Sequence, residues 1–564
     1  MDFKHELALK ISAVLNLDIA EIEESVEIPA NTEMGDYSYP CFKLAKLKKK
    51  APNIIAQELA IGLGEIDFVD SIEVVVGYVN FRLNKAYMAE AILKKVLEAG
   101  ADYGRSDMGK GKTIVMDYSS PNIAKPLHIG HIRTTMIGNA LYKTQKFLGY
   151  NVVGINYLGD WGTQFGKMIV AIRNWGDKKT IETGGLKELV NLYIKFHDEA
   201  DENPSLNDEA RSWMLKMQNG DEEAMTLWQE ICDISRKELD KIYKRLNITF
   251  DSYRGESYYN DKMAPVVEEL RAKGLMVESD GAQVVNLEEY DMPPCLILRK
   301  DGGTLYPTRD IAAAMDRMEM YNLHKSLYIT GLEQKLHFAQ WFKVVELMGY
   351  EWAKDLVHIP YGMISLDSGK LSTRKGNVIY LEDLLDEAVS RTLNLIEERN
   401  PTLENKEEVA EQVGIGAVIF NDLYNNRIKD VAFSWEKMLS ADGETGPYVQ
   451  YACVRAYSVL QRAEFVPDKN IDYALLSDEA SINIIKLLYS YPDKLIESAE
   501  KYEPYIIARH LIAIAQAFNY FYRENPILTS EGELKKARLH LTYAVREVLK
   551  AGLGLIGIQT PDKM

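Results

Sequence analysis

The stretch from Thr113 to Tyr157 constrains the fold more than any other part of the chain. It contains an apolar run at 113–118, a turn with Gly130, a segment with apolar residues at helical spacing (132–148), and a second apolar run at 152–157. This order predicts strand, turn, helix and strand, which is the unit of a doubly wound parallel sheet. Ligands of such sheets bind at the carboxyl ends of the strands, where a helix N-terminus can hold a phosphate.

The turn 119–131 (SSPNIAKPLHIGH) brings an amide, a cation and two imidazoles together just before the helix. Pro121 disfavours helix at the preceding residue, and Gly130 allows the backbone to approach a ligand closely. We therefore expect His128 and His131 at the opening turn of the helix, where both rings can donate to phosphate oxygens. For isolated histidines, a helix cap or a satisfied core pair is the commoner explanation. Zinc is not expected, because the His-x-x-His pattern lacks the glutamate of His-Glu-x-x-His and a third ligand nearby.

A second candidate phosphate segment lies far downstream, at 370–377 (KLSTRKGN). It crowds three cations into a loop rich in serine, threonine and glycine. A basic loop alone is usually a solvated connection. Paired with the imidazole turn, it predicts a loop that closes over a polyphosphate.

These motifs resemble those of a known family. His128–His131 (HIGH) resembles the signature of class I aminoacyl-tRNA synthetases, and 370–374 resembles their KMSKS loop. Together with 159–166 (GDWGTQFG), the motifs are similar to the arginyl-tRNA synthetase family, and the likeness runs along nearly all 564 residues. It is weakest in an acidic, mainly helical insertion at about 178–283.

The resemblance implies an α/β fold class: a doubly wound, Rossmann-type parallel-sheet catalytic domain with an α+β N-terminal domain and an all-α anticodon-binding bundle at the C-terminus. We predict these domains at 106–399, 1–105 and 400–564. In the first domain, 72–79 and 80–83 look like strands. The C-terminal helices are predicted from apolar residues that recur at spacings of three and four. These residues are Ile507, Leu511, Ile514, Phe518 and Phe521, followed by Leu541, Val545 and Val548.

By resemblance, the chain attaches L-arginine to tRNA(Arg) with ATP. The arginine carboxylate attacks the α-phosphorus, pyrophosphate leaves, and the arginyl group passes from the adenylate to a ribose 2′-hydroxyl. Positioning and fixed cations can supply most of the acceleration, so no side-chain nucleophile is needed. Mg²⁺ is expected with ATP, coordinated mainly by phosphates and water rather than by protein ligands.

Matching the family motifs residue by residue gives the candidate site. The predicted catalytic residues are Lys125, His128, His131 and Lys370, and the predicted ATP contacts are His128, Gly130, His131, His337, Lys370 and Ser372. The predicted arginine contacts are Asp117, Asn122, His128, Tyr306, Asp310 and Gln334. Asp310 leads this set, because a planar guanidinium prefers a bidentate carboxylate. Its alternative role is a helix cap, and that of Tyr306 is core packing.

One position departs from the general class pattern. Thr373 stands where most class I loops carry their second lysine, a departure shared by many arginine enzymes. We hypothesise that Lys125 replaces this charge and, with Lys370, stabilises the leaving pyrophosphate.

The net charge of −18 opposes a nucleic-acid partner unless positive charge is clustered. Such a cluster occurs at 43–50 (KLAKLKKK), where a solvated helix face is the alternative. Because the family's N-terminal domain touches the corner of the tRNA, we predict tRNA contacts from Lys46, Lys48 and Lys49. Tyr457 and Met564 are predicted anticodon contacts on the C-terminal bundle.

The composition agrees with a large soluble enzyme. No apolar stretch approaches membrane-spanning length, and MDFKHELALK has no signal-peptide pattern. The scattered cysteines Cys41, Cys232, Cys295 and Cys453 form neither a disulfide framework nor a metal cluster. We expect a cytoplasmic monomer.

Two other functions fit the sequence less well. Another adenylate-forming enzyme of the superfamily, such as a cysteine enzyme, would need zinc ligands that are absent here. A catalytically inactive tRNA-binding protein on the synthetase scaffold would not need the intact His128, His131, Lys370, Asp310 and Gln334.

Overall fold

In the computed structural model, residues 2–366, 379–468 and 470–564 are described. The chain forms two compact units. The first comprises residues 1–103, 452–492 and 513–551, and the second comprises residues 104–451, 493–512 and 552–564.

The first unit contains an antiparallel sheet of three strands in the order β1-β3-β2. These are β1 (Tyr37–Pro40), β2 (Val69–Val75) and β3 (Tyr78–Leu83), with helices α1 (Phe3–Leu15), α2 (Ile19–Ser25), α3 (Phe42–Lys48), α4 (Pro52–Leu63) and α5 (Lys85–Ala99). The predicted strand 72–79 is wrong, because the chain turns at Val76 and Gly77. Both have positive φ, 46° and 86°, which is the backbone of a tight two-residue hairpin turn.

The second unit is built on a parallel sheet of four strands in the order β10-β9-β4-β5. The strands are β4 (Thr113–Asp117), β5 (Asn151–Ile155), β9 (Lys325–Gly331) and β10 (Leu356–Tyr361). Helix α6 (Ile132–Phe147) links β4 to β5, so the predicted strand, turn, helix and strand are confirmed. Because β5 and β9 flank β4 on opposite sides, the strand order reverses at β4. That is where such sheets open a crevice for ligands.

The long segment between β5 and β9 is mostly helical. It contains α7 (Thr163–Trp175), α8 (Lys178–Glu202), α9 (Ser205–Gln218), α10 (Glu222–Arg245), α11 (Met263–Ala272) and α12 (Tyr306–Tyr321). The strands β6 (Met276–Ser279), β7 (Ala282–Val285) and β8 (Cys295–Leu298) form a separate antiparallel sheet. The prediction of a mainly helical insertion at about 178–283 is confirmed, and its last residues form a β-hairpin. Asp280 and Gly281, with φ of 49° and 79°, form the hairpin turn that this dipeptide favours.

In the remaining described residues helices predominate, and two short strands pair with each other, β11 (Ile364–Leu366) and β12 (Val431–Phe433). The helices are α13 (Lys335–Leu347), α14 (Leu381–Arg399), α15 (Lys406–Leu423), α16 (Trp435–Met438), α17 (Gly446–Arg462), α18 (Glu479–Lys501), α19 (Tyr505–Glu524) and α20 (Gly532–Leu555). The apolar stripes predicted for the C-terminal helices are confirmed, because all eight of their residues are buried in α19 or α20. Across the described ranges, no helix is both long and apolar enough to cross a membrane.

Candidate active site

A cavity of about 430 Å³ opens at the carboxyl ends of β4 and β9. Its wall combines polar groups from β4, the turn after it, α12 and the start of α13. The residues predicted from sequence that line it are Asp117, Asn122, Tyr306, Asp310, Gln334 and His337. These residues span more than 200 positions of the chain, so the fold brings together most of the predicted arginine set.

Asp117 ends β4 and is buried in an ion pair that the sequence did not reveal. Its Oδ2 accepts from Nη2 of Arg317 at 2.8 Å, and its Oδ1 accepts from the Ser120 hydroxyl at 2.6 Å. The side chains of Asp117 and Arg317 are 8% and 2% exposed. Arg317 lies two helical turns beyond Asp310, on the same face of α12. That spacing is the sequence signal that could have predicted Arg317 as a residue of this site.

The rings of Tyr157 and Tyr328 lie next to the Arg317 side of this ion pair. The guanidinium of Arg317 lies 5.2 Å from the centre of the Tyr157 ring. The Tyr157 hydroxyl is buried and has no hydrogen-bond partner among the described residues. The Tyr157 side chain also lines the cavity.

Asp310 is aimed at the cavity from inside α12. The helix begins at Tyr306, so the capping alternative for Asp310 is wrong; the residue before the helix, Leu305, makes no side-chain cap. The Asp310 Oδ2 instead accepts from Nε2 of His337 at 2.6 Å. His337, predicted from sequence as an ATP contact, thus lies against the carboxylate predicted for the guanidinium.

Glu256 is a third carboxylate in the cavity wall, and sequence reasoning missed it. It pairs with Nη1 of Arg309 at 2.9 Å, and both side chains are 14% exposed. Burial raises the pKa of Glu256 to about 7, with Arg309 opposing the rise and Asp160 and Asp310 adding to it. Glu256 follows the long helical insertion in a 3-10 turn, and no local pattern marks it.

The remaining predicted contacts are accessible. Tyr306 is 66% exposed, so its core-packing alternative is wrong, and Gln334 is exposed at the start of α13. Asn122 is held by backbone pairing with Gly159. A Cβ at Gly159 would lie 2.0 Å from Oδ1 of Asn122, so glycine is required for this close approach.

The imidazole turn has a defined hydrogen-bond pattern. Nδ1 of His128 accepts from the Gly130 amide, and Nδ1 of His131 accepts from the His128 amide, each at 3.1 Å. Burial lowers the pKa of both rings, to about 3 for His131; the second cause is Lys125 for His128 and His128 for His131. Both rings are therefore neutral with the proton on Nε2, which leaves Nε2–H as the donor.

The cations predicted for the pyrophosphate are only partly described. Lys125 is exposed and close enough to His128 to lower its pKa, and its Nζ lies 5.6 Å from the centre of the Tyr193 ring. Lys370, Ser372 and Thr373 lie outside the described residues.

The predicted tRNA contacts lie in different environments. Lys46, Lys48 and Lys49 are exposed on or just after α3. Tyr457 is half-buried, with the guanidinium of Arg546 4.9 Å from its ring centre. Met564 packs partly buried against the apolar cluster that contains Ile396. These contacts stay predictions.

None of the four cysteines lines the cavity. Cys41, Cys295 and Cys453 are buried, and burial raises the pKa of Cys41 and Cys295 to about 11 and about 12. Within the described part of the chain, no group of three histidine, cysteine or acidic side chains could hold a metal ion.

Comparison with known proteins decides the family. Residues 92–435 match the model for the catalytic domain of class I tRNA synthetases (R). Residues 1–83 match the arginyl tRNA synthetase N-terminal domain, and residues 449–564 match the DALR anticodon binding domain. The chain belongs to the class I arginyl-tRNA synthetase family.

Relatives of this synthetase match it along their whole length. An arginine–tRNA ligase of Halothermothrix orenii is 54% identical, and one of Alkaliphilus metalliredigens is 52% identical, with 100% of each chain covered. Among solved structures, an arginyl-tRNA synthetase of Thermus thermophilus aligns with a TM-score of 0.81 over 100% of both chains at 24% identity. That of Plasmodium falciparum gives 0.80 over 99% of both chains, also at 24% identity. The predicted fold class is thereby confirmed.

Proposed function

We propose that this synthetase activates L-arginine with ATP and transfers it to tRNA(Arg). The observation that carries the proposal is the cavity that combines Asp117, Glu256 and Asp310. A planar cation with several N–H donors is the side chain that satisfies such carboxylates best. The relatives named as ligases support catalysis, and nothing in the comparisons favours the inactive alternative.

In the proposed complex, the guanidinium of arginine lies against Asp310 and Glu256, with Gln334 and Tyr306 beside it. All four line the cavity. The α-ammonium lies toward Asp117 and Asn122, near the end of β4. Since Asp117 already pairs with Arg317, Asp117 is fixed in position before the substrate arrives.

The nucleotide lies at the imidazole turn. Nε2–H of His128 and of His131 donates to phosphate oxygens, and the start of α6 faces the same charge. Lys125 lies toward the pyrophosphate and neutralises charge as it leaves. The arginine carboxylate forms a bond to the α-phosphorus as the bond to pyrophosphate breaks. A tRNA 2′-hydroxyl then attacks the arginyl carbonyl, and AMP leaves with the bonding electrons.

Mg²⁺ enters this proposal as the companion of ATP. The described residues include no metal-binding cluster, so they do not form a dedicated cage. Phosphate oxygens and water would complete its coordination.

The proposal is tested by isotope exchange between pyrophosphate and ATP. Exchange should require arginine, should not occur with lysine, and is assayed with and without tRNA because arginine enzymes commonly need tRNA for this step. Absence of arginine-dependent exchange with tRNA present would contradict the proposed activity.

Partner and location complete the proposal. The tRNA would contact the exposed lysines at and after α3 and the C-terminal helices. We further propose a cytoplasmic monomer, divided into functional domains at about residues 105 and 399.

Replacing Lys125 by methionine tests the role of this cation. We expect kcat for arginine activation to fall about 10- to 100-fold, because one charge that stabilises the leaving group is lost. The KM for arginine should change less than about twofold, because in the proposed complex Lys125 lies toward the pyrophosphate and does not contact arginine. Initial rates of adenylate formation measure both quantities.

A matched control is Lys195→Met. Lys195 is also exposed, and its Nζ lies 5.2 Å from the centre of a tryptophan ring, that of Trp175. Of these two lysines, only Lys125 lowers the pKa of His128. The kcat of Lys195→Met should equal the parental value. A parental kcat in Lys125→Met would rule out the proposed role of Lys125.

The KM for arginine should depend on pH through the protonation of Glu256. Because the pKa of Glu256 is raised to about 7, protons compete with the guanidinium for this carboxylate below neutrality. The KM for arginine is therefore expected to fall about fivefold to tenfold as the pH rises from about 6 to 8. The same shift means that Glu256 makes folding less favourable as pH rises from 4.5 to about 7, since the folded chain holds the proton more tightly.

Glu256→Gln should bind arginine more weakly and lose this pH dependence. Glu269→Gln, which removes a carboxylate that accepts from the Tyr350 hydroxyl outside the cavity, should keep it. An unchanged pH profile in Glu256→Gln would show that another group is responsible.

A further inference from the structure

The turn that follows β4 has an unusual backbone. Ser119, Ser120 and Ala124 all have positive φ, at 67°, 45° and 64°. Non-glycine residues rarely adopt this left-handed region, and each one costs free energy unless its surroundings hold it there. Three such residues within six positions precede Lys125 and His128.

Helix α10 of the insertion supplies one of these contacts. The amide of Ala124 donates to the hydroxyl of Ser235 at 3.1 Å, and that hydroxyl donates to the carbonyl of Ile231 at 2.8 Å. Ser235 is 1% exposed. The amide of a left-handed, buried residue thus has its partner on a helix more than 100 positions away.

Tyr243, on the same helix, holds the start of the turn. Its hydroxyl lies 2.8 Å from Oγ of Ser119 and accepts from Nδ2 of Asn156 at 3.1 Å. The Oδ1 of Asn156 accepts from the amide of Ser120 at 3.1 Å. Tyr243 and Asn156 are 2% and 0% exposed, so water does not compete with these bonds.

The network extends to the imidazole turn. Oγ of Ser119 lies 2.9 Å from Oγ1 of Thr135, and that hydroxyl lies 2.6 Å from the carbonyl of His131. A continuous series of hydrogen-bonding groups therefore connects Tyr243 of the insertion with His131.

We propose that Ser235 and Tyr243 are positioning residues for arginine activation, and that α10 of the insertion holds the left-handed backbone from which Asn122, Lys125, His128 and His131 reach the substrates. Neither residue lines the cavity at the strand ends. They act on the reaction through the backbone of the turn. The inference rests on the proposed function and assigns a role to a segment that carries no recognisable motif.

The test uses the full-length enzyme with tRNA, arginine and ATP in the exchange assay. Ser235→Ala and Tyr243→Phe should each lower kcat about 10-fold and raise the KM for ATP. In Ser235→Ala the buried amide of Ala124 loses its acceptor, and in Tyr243→Phe the buried side-chain amide of Asn156 loses its acceptor. The KM for arginine should stay within about twofold, since the carboxylates that hold the guanidinium are untouched. A general loss of folded protein would lower the active fraction without this separation of constants.

Matched controls lie in the same unit. Ser498→Ala removes a buried hydroxyl that donates to the carbonyl of Glu503, and Tyr142→Phe removes a hydroxyl bonded to Asp251. Both should show parental kinetic constants, with thermal unfolding shifts like those of the test variants. If Ser235→Ala does not fold, Tyr243→Phe, which deletes a single oxygen atom, decides the outcome.

A rescue separates positioning from a general structural effect. Glycine adopts positive φ without strain, so Ala124→Gly should relieve the need for Ser235. The double variant Ala124→Gly/Ser235→Ala is expected to recover part of the kcat lost in Ser235→Ala, because glycine removes the backbone strain although the amide of residue 124 stays without its acceptor. Failure of the rescue, or parental kcat in Ser235→Ala and Tyr243→Phe, overturns the inference while the proposed function stands. An inactive parental enzyme overturns both.

Discussion

Replacing Asp310 by asparagine is expected to lower kcat/KM for arginine about 100- to 1000-fold. The substitution keeps the shape of the side chain but removes the charge that a guanidinium requires. In a largely buried wall, where the Asp310 side chain is 21% exposed, water does not replace that charge. Initial rates of exchange at varied arginine concentrations measure the effect.

Asp316→Asn is the matched control, since Asp316 lies on the same helix but pairs with Lys262 outside the cavity. Its kcat/KM should stay near the parental value. Asp310→Asn should also leave the melting temperature nearly unchanged, because His337 can still donate to the amide oxygen. A parental kcat/KM in Asp310→Asn would contradict the assignment of the guanidinium site.

Arg133→Met is expected to cost about 3–5 kcal/mol of stability in the second unit. Arg133 is fully buried; its Nε donates to Asp422 at 2.7 Å, and its Nη1 donates to the carbonyls of Gly362 and Lys429 at 2.8 and 2.9 Å. Methionine fills similar space but leaves the Asp422 carboxylate without a counter-charge. The shift in the denaturant midpoint measures the loss.

The pH dependence of that loss follows from the ion pair. Burial raises the pKa of Asp422, and Arg133 opposes the rise. Without Arg133, folded Asp422 holds a proton that the unfolded chain releases, so stability falls as pH rises above the usual pKa of an aspartate, and the loss should be larger at neutral pH than in acid.

Two further variants test whether the loss of stability comes from the buried ion pair. Arg133→Met/Asp422→Leu should recover part of it. Arg211→Met, which breaks an exposed pair with Asp208 whose side chains are 72% and 75% exposed, should cost less than about 1 kcal/mol. A loss below that value in Arg133→Met would show that the buried pair contributes little.

The sequence predicted the parts of the site that depend on local order. The strand, turn, helix and strand around His128 were predictable because strand and helix differ in hydrophobic period. Asp310 and Gln334 were predictable because each lies in a motif that the family shares, and both line the cavity. Their roles in binding stay predictions until ligand is tested.

The residues that the sequence did not reveal depend on long-range contacts. Arg133 and Asp422 are 289 positions apart, and Arg317 and Asp117 are 200 apart. A lone arginine on a helix is usually read as a solvated side chain, so only the folded chain distinguishes these two. Glu256 could not be predicted from the sequence for the same reason. Its raised pKa arises from burial beside Asp160 and Asp310 rather than from its neighbours in sequence.

The acidic wall around Asp310 and Glu256 also bears on fidelity. Citrulline has nearly the outline of arginine but carries a neutral urea, so in the proposed complex it would bring no positive charge to Asp310 and Glu256, whose partners within the chain are His337 and Arg309. Sites that must pair buried polar groups reject an analogue lacking the matching group by about 10⁴- to 10⁵-fold. If arginine binds as proposed, discrimination of this size at the binding step would leave no need for hydrolytic proofreading against citrulline.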